Sequence, residues 1–359
     1  MGSIKVAIVG VGNCASSLIQ GVSFYKDVSD DAEVPGLMHT VFGDYKIRDI
    51  EFVAAFDVDP RKIGKDLSEA IFSPPNCTVK FSDVPRLGVK VQPAPILDGV
   101  APHMFAAFGL ENVEPIKPVD VADVLKESGA EMLINYLPVG SSKATEFYAE
   151  EALKAGCGFI NAIPEFIASD PTWVKRYETA NLPLAGDDIK SQIGATILHR
   201  MLVNLLESRG VKVDETYQLN IGGNTDFLNM TVEERLSKKR ISKTEAVTSL
   251  LPYEIPVRIG PSDYIPFLKD RKICYISIKG RKFGGVPVYI DVKLNVEDSP
   301  NSAGVMIDVI RAMKIALDRG IKGVLTSISA YAFKHPPVQV PDPIARQWVE
   351  EFIQGKRER

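Results

Sequence analysis

Nowhere in the 359 residues is there an unbroken apolar run near the roughly 18 residues that a membrane-spanning helix needs. Cysteine and histidine are also thin. There are four of each, Cys14, Cys77, Cys157 and Cys274, and His39, His103, His199 and His335, all far apart with no Cys-x-x-Cys pair. A disulfide framework and a structural zinc site are thereby set aside, and the thiols suit a reducing cytoplasm, where each reads as a small buried hydrophobe. No sign of charge dominates: 42 Lys+Arg against 46 Asp+Glu leave a formal net charge of −4. That removes the usual reason to propose a nucleic-acid partner, although a local basic patch survives it. What is present is the ordinary globular mix, 45% hydrophobic and 25% charged. At roughly 150 residues per domain it fits about two domains. The apolar segment 4–11 is short and runs into Gly10-Val11-Gly12 with no small-residue cleavage site. It is expected to be a strand and not a signal peptide. Met1-Gly2 invites myristoylation, but Val6 stands where Ser or Thr is required.

The first half alternates strand and helix signals. Residues 4–9 are a β-branched run ending at glycine, followed by a helical stretch at about 15–25. Residues 50–56 form a second strand ending in Asp57, and the polar segment 26–48 between them reads as an insertion. Later strands are expected at 131–137, 158–163 and 182–185, with a helix over 142–155 stopped by Gly156. Near-continuous apolar strands alternating with helices argue for a parallel sheet covered on both faces. After Asp188 the texture changes. Residues 191–209 carry apolar side chains at helical spacing, and then come strand-like runs at 216–221, 273–278 and 288–296 without intervening helices. In the last, Val288, Ile290, Val292, Leu294 and Val296 alternate, the mark of a half-buried antiparallel strand. Two amphipathic helices follow at about 302–319 and 342–354. The expected fold is α/β, a Rossmann-type doubly wound parallel sheet over 1–200 with 311–359, and an inserted α+β catalytic and oligomerisation domain over 201–310.

Gly10-Val11-Gly12-Asn13-Cys14-Ala15 matches G-x-G-x-x-G/A. Alone the pattern is weak; between a strand and a helix it is a dinucleotide fingerprint. Gly10 permits the tight turn, and Gly12 lets backbone N–H groups approach a pyrophosphate at a helix N-terminus. Asp57 is placed to accept hydrogen bonds from an adenosine ribose, though it lies 47 residues beyond Gly10 where about 20 is typical. A carboxylate there favours NAD over NADP, while Arg61 and Lys62 keep NADP open. The loop Leu137-Pro138-Val139-Gly140 ends another strand, where ligands of doubly wound sheets lie; an ordinary turn is the alternative. Asp187-Asp188 and Ser191 close a strand beside Lys190, reading either as a helix N-cap or as ligand contacts. Asn224 and Asp226 follow two glycines and offer directional polar groups, or else form a plain Gly-Asn turn.

The densest basic run is SKKRISKTE over 237–245. Such runs are usually solvated faces. Ser242 and Glu245, however, form a capping-box pattern that makes Lys243 the first helical residue, where a cation opposes the helix dipole. A bound phosphate would account for that arrangement. Lys272 in 269–272 and Lys334 before His335-Pro336, taken alone, read as surface.

Taken in order, GVGNCASSL (10–18), FDVD (56–59), YLPVGS (136–141), FIASDP (166–171), GDDIKSQ (186–192), GGNTDFLN (222–229), SKKRISKTEAV (237–247) and DSPNSAG (298–304) make the chain resemble the inositol-1-phosphate synthase family, also called myo-inositol-3-phosphate synthase, in its compact prokaryotic branch. The resemblance implies conversion of glucose 6-phosphate to inositol 1-phosphate with tightly held NAD. Carbon 5 is oxidised, carbon 6 enolises and attacks the carbon 1 aldehyde, and the hydride returns to carbon 5. Carried over by position, Lys239 and Lys243 match a pair that holds phosphate and serves proton transfer. Lys272 with Asp270 match residues near the reacting hydroxyls, and Lys334 matches a lysine that polarises the aldehyde oxygen. Asn224 and Asp226 match the substrate pocket, Asp188 an acid near the nicotinamide, and Asp298 a position behind these residues. The glycine loop is shorter than that of the eukaryotic branch, so the cofactor's phosphate contacts are expected to differ. The resemblance also implies a divalent metal or a monovalent cation, ammonium or potassium, between which the sequence does not choose, and a cytoplasmic homotetramer. Two other classes stay open: a different NAD(P)-dependent two-domain dehydrogenase acting on a sugar or amino-acid derivative, and a non-catalytic NAD-sensing regulator.

Overall fold

The run at the amino end is strand β1 (Ile4–Val9), and its alternation is satisfied twice. Ile4, Val6 and Ile8 enter one hydrophobic core, while Ala7 and Val9 enter another on the opposite face. A strand with apolar residues on both sides is stable only between two layers of helix. In the computed structural model, which describes residues 2–111, 114 and 116–359, those layers are present. A short hairpin, β2 (Val41–Phe42) and β3 (Tyr45–Lys46), precedes β4 (Ile50–Asp57), and β5 (Val91–Pro93), β6 (Met132–Asn135), β7 (Gly158–Asn161) and β8 (Pro183–Ala185) follow. With β13 (Gly323–Val324) they form a seven-stranded sheet in the order β13-β8-β7-β6-β1-β4-β5, every pairing parallel. Helices Asn13–Tyr25 and Pro300–Asp318 cover one face. Helices Val121–Ser128 and Ser142–Ala155 cover the other. The chain leaves β1 toward β4 and β5, then returns to β6 on its other side. This reversal opens a crevice at the carboxyl ends of β1 and β6.

The polar segment 26–48 is more than a lengthened connection. Phe42 and Ile47 are fully buried, and the buried Arg311 donates to the carbonyls of Thr40 at 2.9 Å and His39 at 2.8 Å. Helix Pro300–Asp318, which carries Arg311, thus spans residue 310 and belongs to the packing of the parallel sheet.

A second sheet is built from β9 (Lys212–Gly222), β10 (Val257–Tyr264), β11 (Arg271–Arg281) and β12 (Pro287–Glu297), in the order β10-β9-β11-β12. Three strands are antiparallel as expected. β10, which its Arg, Gly, Pro and Asp residues concealed, pairs with β9 in parallel and makes the sheet mixed. Helices Ala195–Ser208 and Ser237–Thr248 cover one face, over Val203, Leu206, Val247, Cys274, Ile276 and Ile278. The other face is uncovered: Tyr217, Leu219 and Tyr275 are 45%, 39% and 40% exposed.

Candidate active site

The loop after β1 is shaped by two glycines for different reasons. Gly10 has φ +88°, and a Cβ there would lie 2.6 Å from the Tyr136 carbonyl oxygen, so the loops after β1 and β6 touch only because it has none. Gly12 is the N-cap of helix Asn13–Tyr25 and supplies no side-chain cap, and a Cβ added to it would meet nothing within 4 Å. An uncapped helix N-terminus facing open space, with no acid in its first turn, is an anion site. Asn13 and Cys14 line the same cleft. The Asn13 side chain is committed to the chain: its Oδ1 accepts from the N–H groups of Cys77 at 2.8 Å and Thr78 at 3.1 Å. Burial, then Asp270, Asp298 and Asp226, pushes the Cys14 thiol up to about 12, which keeps it protonated and unreactive.

Asp57 ends β4 and lines the cleft. Its Oδ2 accepts from Val11 N–H at 2.8 Å, and its Oδ1 accepts from Val58 and Asp59 N–H at 2.7 and 2.9 Å. The carboxylate that would meet a ribose therefore also fixes the glycine loop. The two cations that kept NADP open are both occupied. Arg61 donates from Nε to Asp59 at 2.8 Å and from its terminal nitrogen to the Ala107 carbonyl at 2.6 Å. Lys62, buried, donates to the Val11 carbonyl at 2.8 Å and Asn76 Oδ1 at 3.1 Å. Both cations are thus engaged within the chain. Leu137, Pro138 and Val139 line the cleft from the β6 side; Gly140 does not. With φ +81° it turns toward Arg235, whose Cβ would lie 2.8 Å from a Cβ at that position.

The adjacent acids after β8 divide their work. Asp187, fully buried, accepts from the N–H groups of Ile167, Ala168 and Ser169 and from the side chains of Asn161 and Ser169, knotting the loop 161–169. Asp188 lines the cleft and accepts from Ser242 Oγ at 2.6 Å and Lys334 Nζ at 2.7 Å. Neither caps a helix, because the next one starts only at Ala195. Ser191 also lines the cleft.

The basic run forms helix Ser237–Thr248, so Lys243 sits mid-helix and not at its start. The capping-box pattern misled: the Ser242 hydroxyl leaves the helix for Asp188, and the dipole argument for a phosphate there falls with it. The lysines nonetheless turn inward. Lys239 and Lys243 lie one turn apart on one face, both buried, and line the cleft together with Lys272 and Lys334. Lys239 donates to Asp226 at 2.7 Å. Burial opposes ionisation of Asp226, but Lys239, then Lys243 and Lys272, hold its carboxyl below the usual range. Lys272 pairs with Asp298 at 3.1 Å, which lifts it above an ordinary lysine against the pull of burial. Lys243 has no ion-pair partner among the described residues. Burial, then Lys272, Lys239 and Lys334, pushes it well below the ordinary lysine range against the opposing pull of Asp188.

Asn224 both caps helix Thr225–Asn229 and donates to Asp270 at 3.0 Å while lining the cleft. Asp270, expected at the reacting hydroxyls, lies behind the lining. It accepts from Asn224 and from Ser299 N–H and Oγ at 3.1 and 2.9 Å, and burial followed by Asp298 pushes its carboxyl up to about 6. Asp298, expected behind, faces the cleft. The two acids have exchanged places. Ser242, read from the sequence as a helix cap, was missed as a residue of the site, where its hydroxyl donates to Asp188. Among the described residues no group of three or more His, Cys, Asp or Glu is set to hold a metal ion.

The parallel sheet with its glycine loop, joined to a lysine-lined chamber on a second sheet, defines a Rossmann-type α/β enzyme. A family model described as Myo-inositol-1-phosphate synthase matches residues 194–299, the segment that carries most of that chamber. An inositol-3-phosphate synthase from Mycobacterium tuberculosis (strain H37Rv) is 56% identical, covering 98% of this chain and 96% of its own. One from Mycolicibacterium smegmatis is 54% identical over 99% of both. The crystal structure of a myo-inositol-1-phosphate synthase-related protein from Thermotoga maritima superposes with TM-score 0.81 at 25% identity, covering 98% of each chain. The chain belongs to the inositol-3-phosphate synthase family.

Proposed function

We propose that the protein converts D-glucose 6-phosphate to 1L-myo-inositol 1-phosphate with NAD retained throughout and no net redox change. The observation that carries this reading is the convergence of Lys239, Lys243, Lys272 and Lys334 on one cleft that also contains the glycine loop. The residues fit a dinucleotide: the space in front of Gly12 and the uncapped helix would take the pyrophosphate, and Asp57 a ribose. When bound, NAD would accept the hydride of carbon 5 as the carbon 5 hydroxyl gives up its proton, and would return the hydride as that oxygen takes a proton back. Lys243, whose surroundings favour the neutral amine, takes the proton from carbon 6. Lys272 and Lys239, ion-paired at the chamber wall, stabilise the oxyanion at carbon 5 and the phosphate in a desolvated chamber, where preorganised charge is worth several kcal/mol, about 3 for one well-placed donor. Lys334, oriented by Asp188, polarises the carbon 1 aldehyde, and the proton taken from carbon 6 is balanced by one delivered to the new carbon 1 oxygen. Asn224 and Asp226 orient the hydroxyls, and Asp270 keeps Asn224 in place. An added divalent or monovalent cation would meet Asp188, Asp226 and Asp298, acids that each already hold a lysine.

The lysine chamber with its sheet, within 201–299, is read as the catalytic unit, and 1–200 with 300–359, which includes helix Pro300–Asp318, as the cofactor unit. The uncovered face at Tyr217, Leu219 and Tyr275 supports self-association, taken as a homotetramer. Four free cysteines suit the cytoplasm. The direct test is phosphorus NMR of protein mixed with glucose 6-phosphate and NAD⁺. Inositol monophosphate should accumulate with no net rise in NADH absorbance. Accumulating NADH would indicate a plain dehydrogenase, and no conversion at all would defeat the reading.

A further inference from the structure

We propose that Arg235 is a positioning residue that couples the cofactor end of the cleft to the lysine end, so that cofactor and substrate each strengthen the other's binding. The proposal rests on the function proposed above. Arg235 lies just before helix Ser237–Thr248, which carries Lys239 and Lys243. Its guanidinium crosses to the other side of the cleft. Nε donates to the Val139 carbonyl at 2.9 Å, and one terminal nitrogen donates to the Asp98 carbonyl at 3.0 Å and Ser141 Oγ at 3.3 Å. No carboxylate of the described residues pairs with it, so its fork grips backbone and hydroxyl oxygens, two on the loop that ends β6 and one, the Asp98 carbonyl, on the segment after β5. Two further observations mark the grip as built. The Val139 carbonyl takes a second donor from the same segment, Asn229 Nδ2 at 2.9 Å. The loop also gives up a side chain at Gly140, where a Cβ would strike the Arg235 side chain at 2.8 Å.

Val139 lines the cofactor side of the cleft. A cofactor that orders the 137–141 loop would thereby order the segment 229–238 and set the lysines one turn later; a substrate that holds the lysines would order the loop in return. Linkage requires the two effects to be equal in free energy. A structural clamp without coupling would lower stability on removal and leave that mutual effect intact.

The test is titration of the protein with NADH, read by its fluorescence, with and without saturating glucitol 6-phosphate, which lacks both the aldehyde and any ketone to receive hydride. The analogue should tighten NADH binding about tenfold in the unaltered protein, within the usual range for coupled sites. Arg235→Ala should reduce that factor to below about twofold, and Arg235→Lys, which keeps the charge but loses the fork, should recover only part of it. In turnover, Arg235→Ala should raise KM for glucose 6-phosphate more than it lowers kcat. A folded Arg235→Ala with undiminished coupling, or an unaltered protein with none, overturns the proposal. If Arg235→Ala does not fold, Asn229→Ala carries the test, since it removes the other donor to the same carbonyl, and full coupling in that variant overturns the proposal. Failure of glucitol 6-phosphate to bind at all would bring down the substrate reading and this proposal together, whereas binding with unaltered coupling in the variants brings down this one alone.

Discussion

The two ends of the cleft are made of different material. At the cofactor end the surfaces are backbone: the turn at Gly10, the bare helix start at Gly12 and the loop of Leu137 to Val139. Asp57 and Asn13 there spend their hydrogen bonds on the chain itself. At the other end the surfaces are long charged side chains on a helix and a strand, opposed by Asp188, Asp226 and Asp298. A backbone site tolerates any side chain that stays out of the way, and it fails when one intrudes. A charge site fails when a single ammonium is lost. Sequence variation should therefore act on the two ends through different quantities, cofactor affinity at one and turnover at the other.

Lys243→Ala should give the largest separation. It is expected to lower kcat about 1,000-fold, as loss of a general base does, with the NAD dissociation constant within about threefold of the parent. Comparable loss of both, seen by calorimetric titration, would mean the lysine serves folding. Gly12→Val is the converse. Its φ of −93° suits any residue and its Cβ has room, so the fold should persist while NAD binding weakens about 100-fold. A melting temperature lowered by more than a few degrees would show that the glycine serves packing.

The comparison continues beneath the cleft. The parallel sheet buries the paired Asn135 and Asn161 at the ends of β6 and β7, and the second sheet buries, beside its apolar core, a polar layer in which His199 Nε2 meets Thr216 Oγ1 at 2.8 Å and Nδ1 meets Gln218 at 3.3 Å. Burial pushes His199 down from 6.5 to about 4. The folded state thus favours the neutral ring, and the stability this provides is full above pH 6.5 and is lost as pH falls through 4. The amount is about 3 kcal/mol for a shift of this size. Denaturant unfolding at pH 7 and pH 4 should show that loss, and His199→Gln should remove its share of the difference. An unchanged pH dependence in the variant would exclude the histidine as its source. The smallest effect is expected from Asp59→Ala. It frees Arg61 from its fork and should shift the NAD-to-NADP affinity ratio about fivefold toward NADP, read by paired titrations; no shift would mean Asp57 alone sets the preference.

The same contrast explains what could be read in advance. The cofactor end was legible because its signals are local: a β-branched run, two glycines at fixed spacing and an acid closing the next strand. The expected strands at 158–163 and 182–185 contain β7 and β8 for that reason. At the substrate end, identity was legible and placement was not. Asp270 and Asp298 flank the paired strands β11 and β12, and Asp298 N–H donates to the Asp270 carbonyl. Which acid turns inward depends on the sheet, which no neighbouring residue announces. Ser242 and Glu245 have the spacing of a cap, but the chain is already helical from Ser237, and a buried acceptor at Asp188 claims the hydroxyl. Lys272 and Lys334 read as surface until β11 and the segment after Ala332 brought them to one chamber.

Competitive labelling of lysines with trace acetic anhydride across pH, quantified by peptide mass spectrometry, puts the lysine chamber to trial most directly. Lys243 is expected to titrate well below the exposed lysines of the same chain and to lose its reactivity when NAD and glucitol 6-phosphate are added together. A Lys243 that titrates like an exposed lysine, and stays reactive with both ligands present, would contradict the assignment of the proton transfer to this amine.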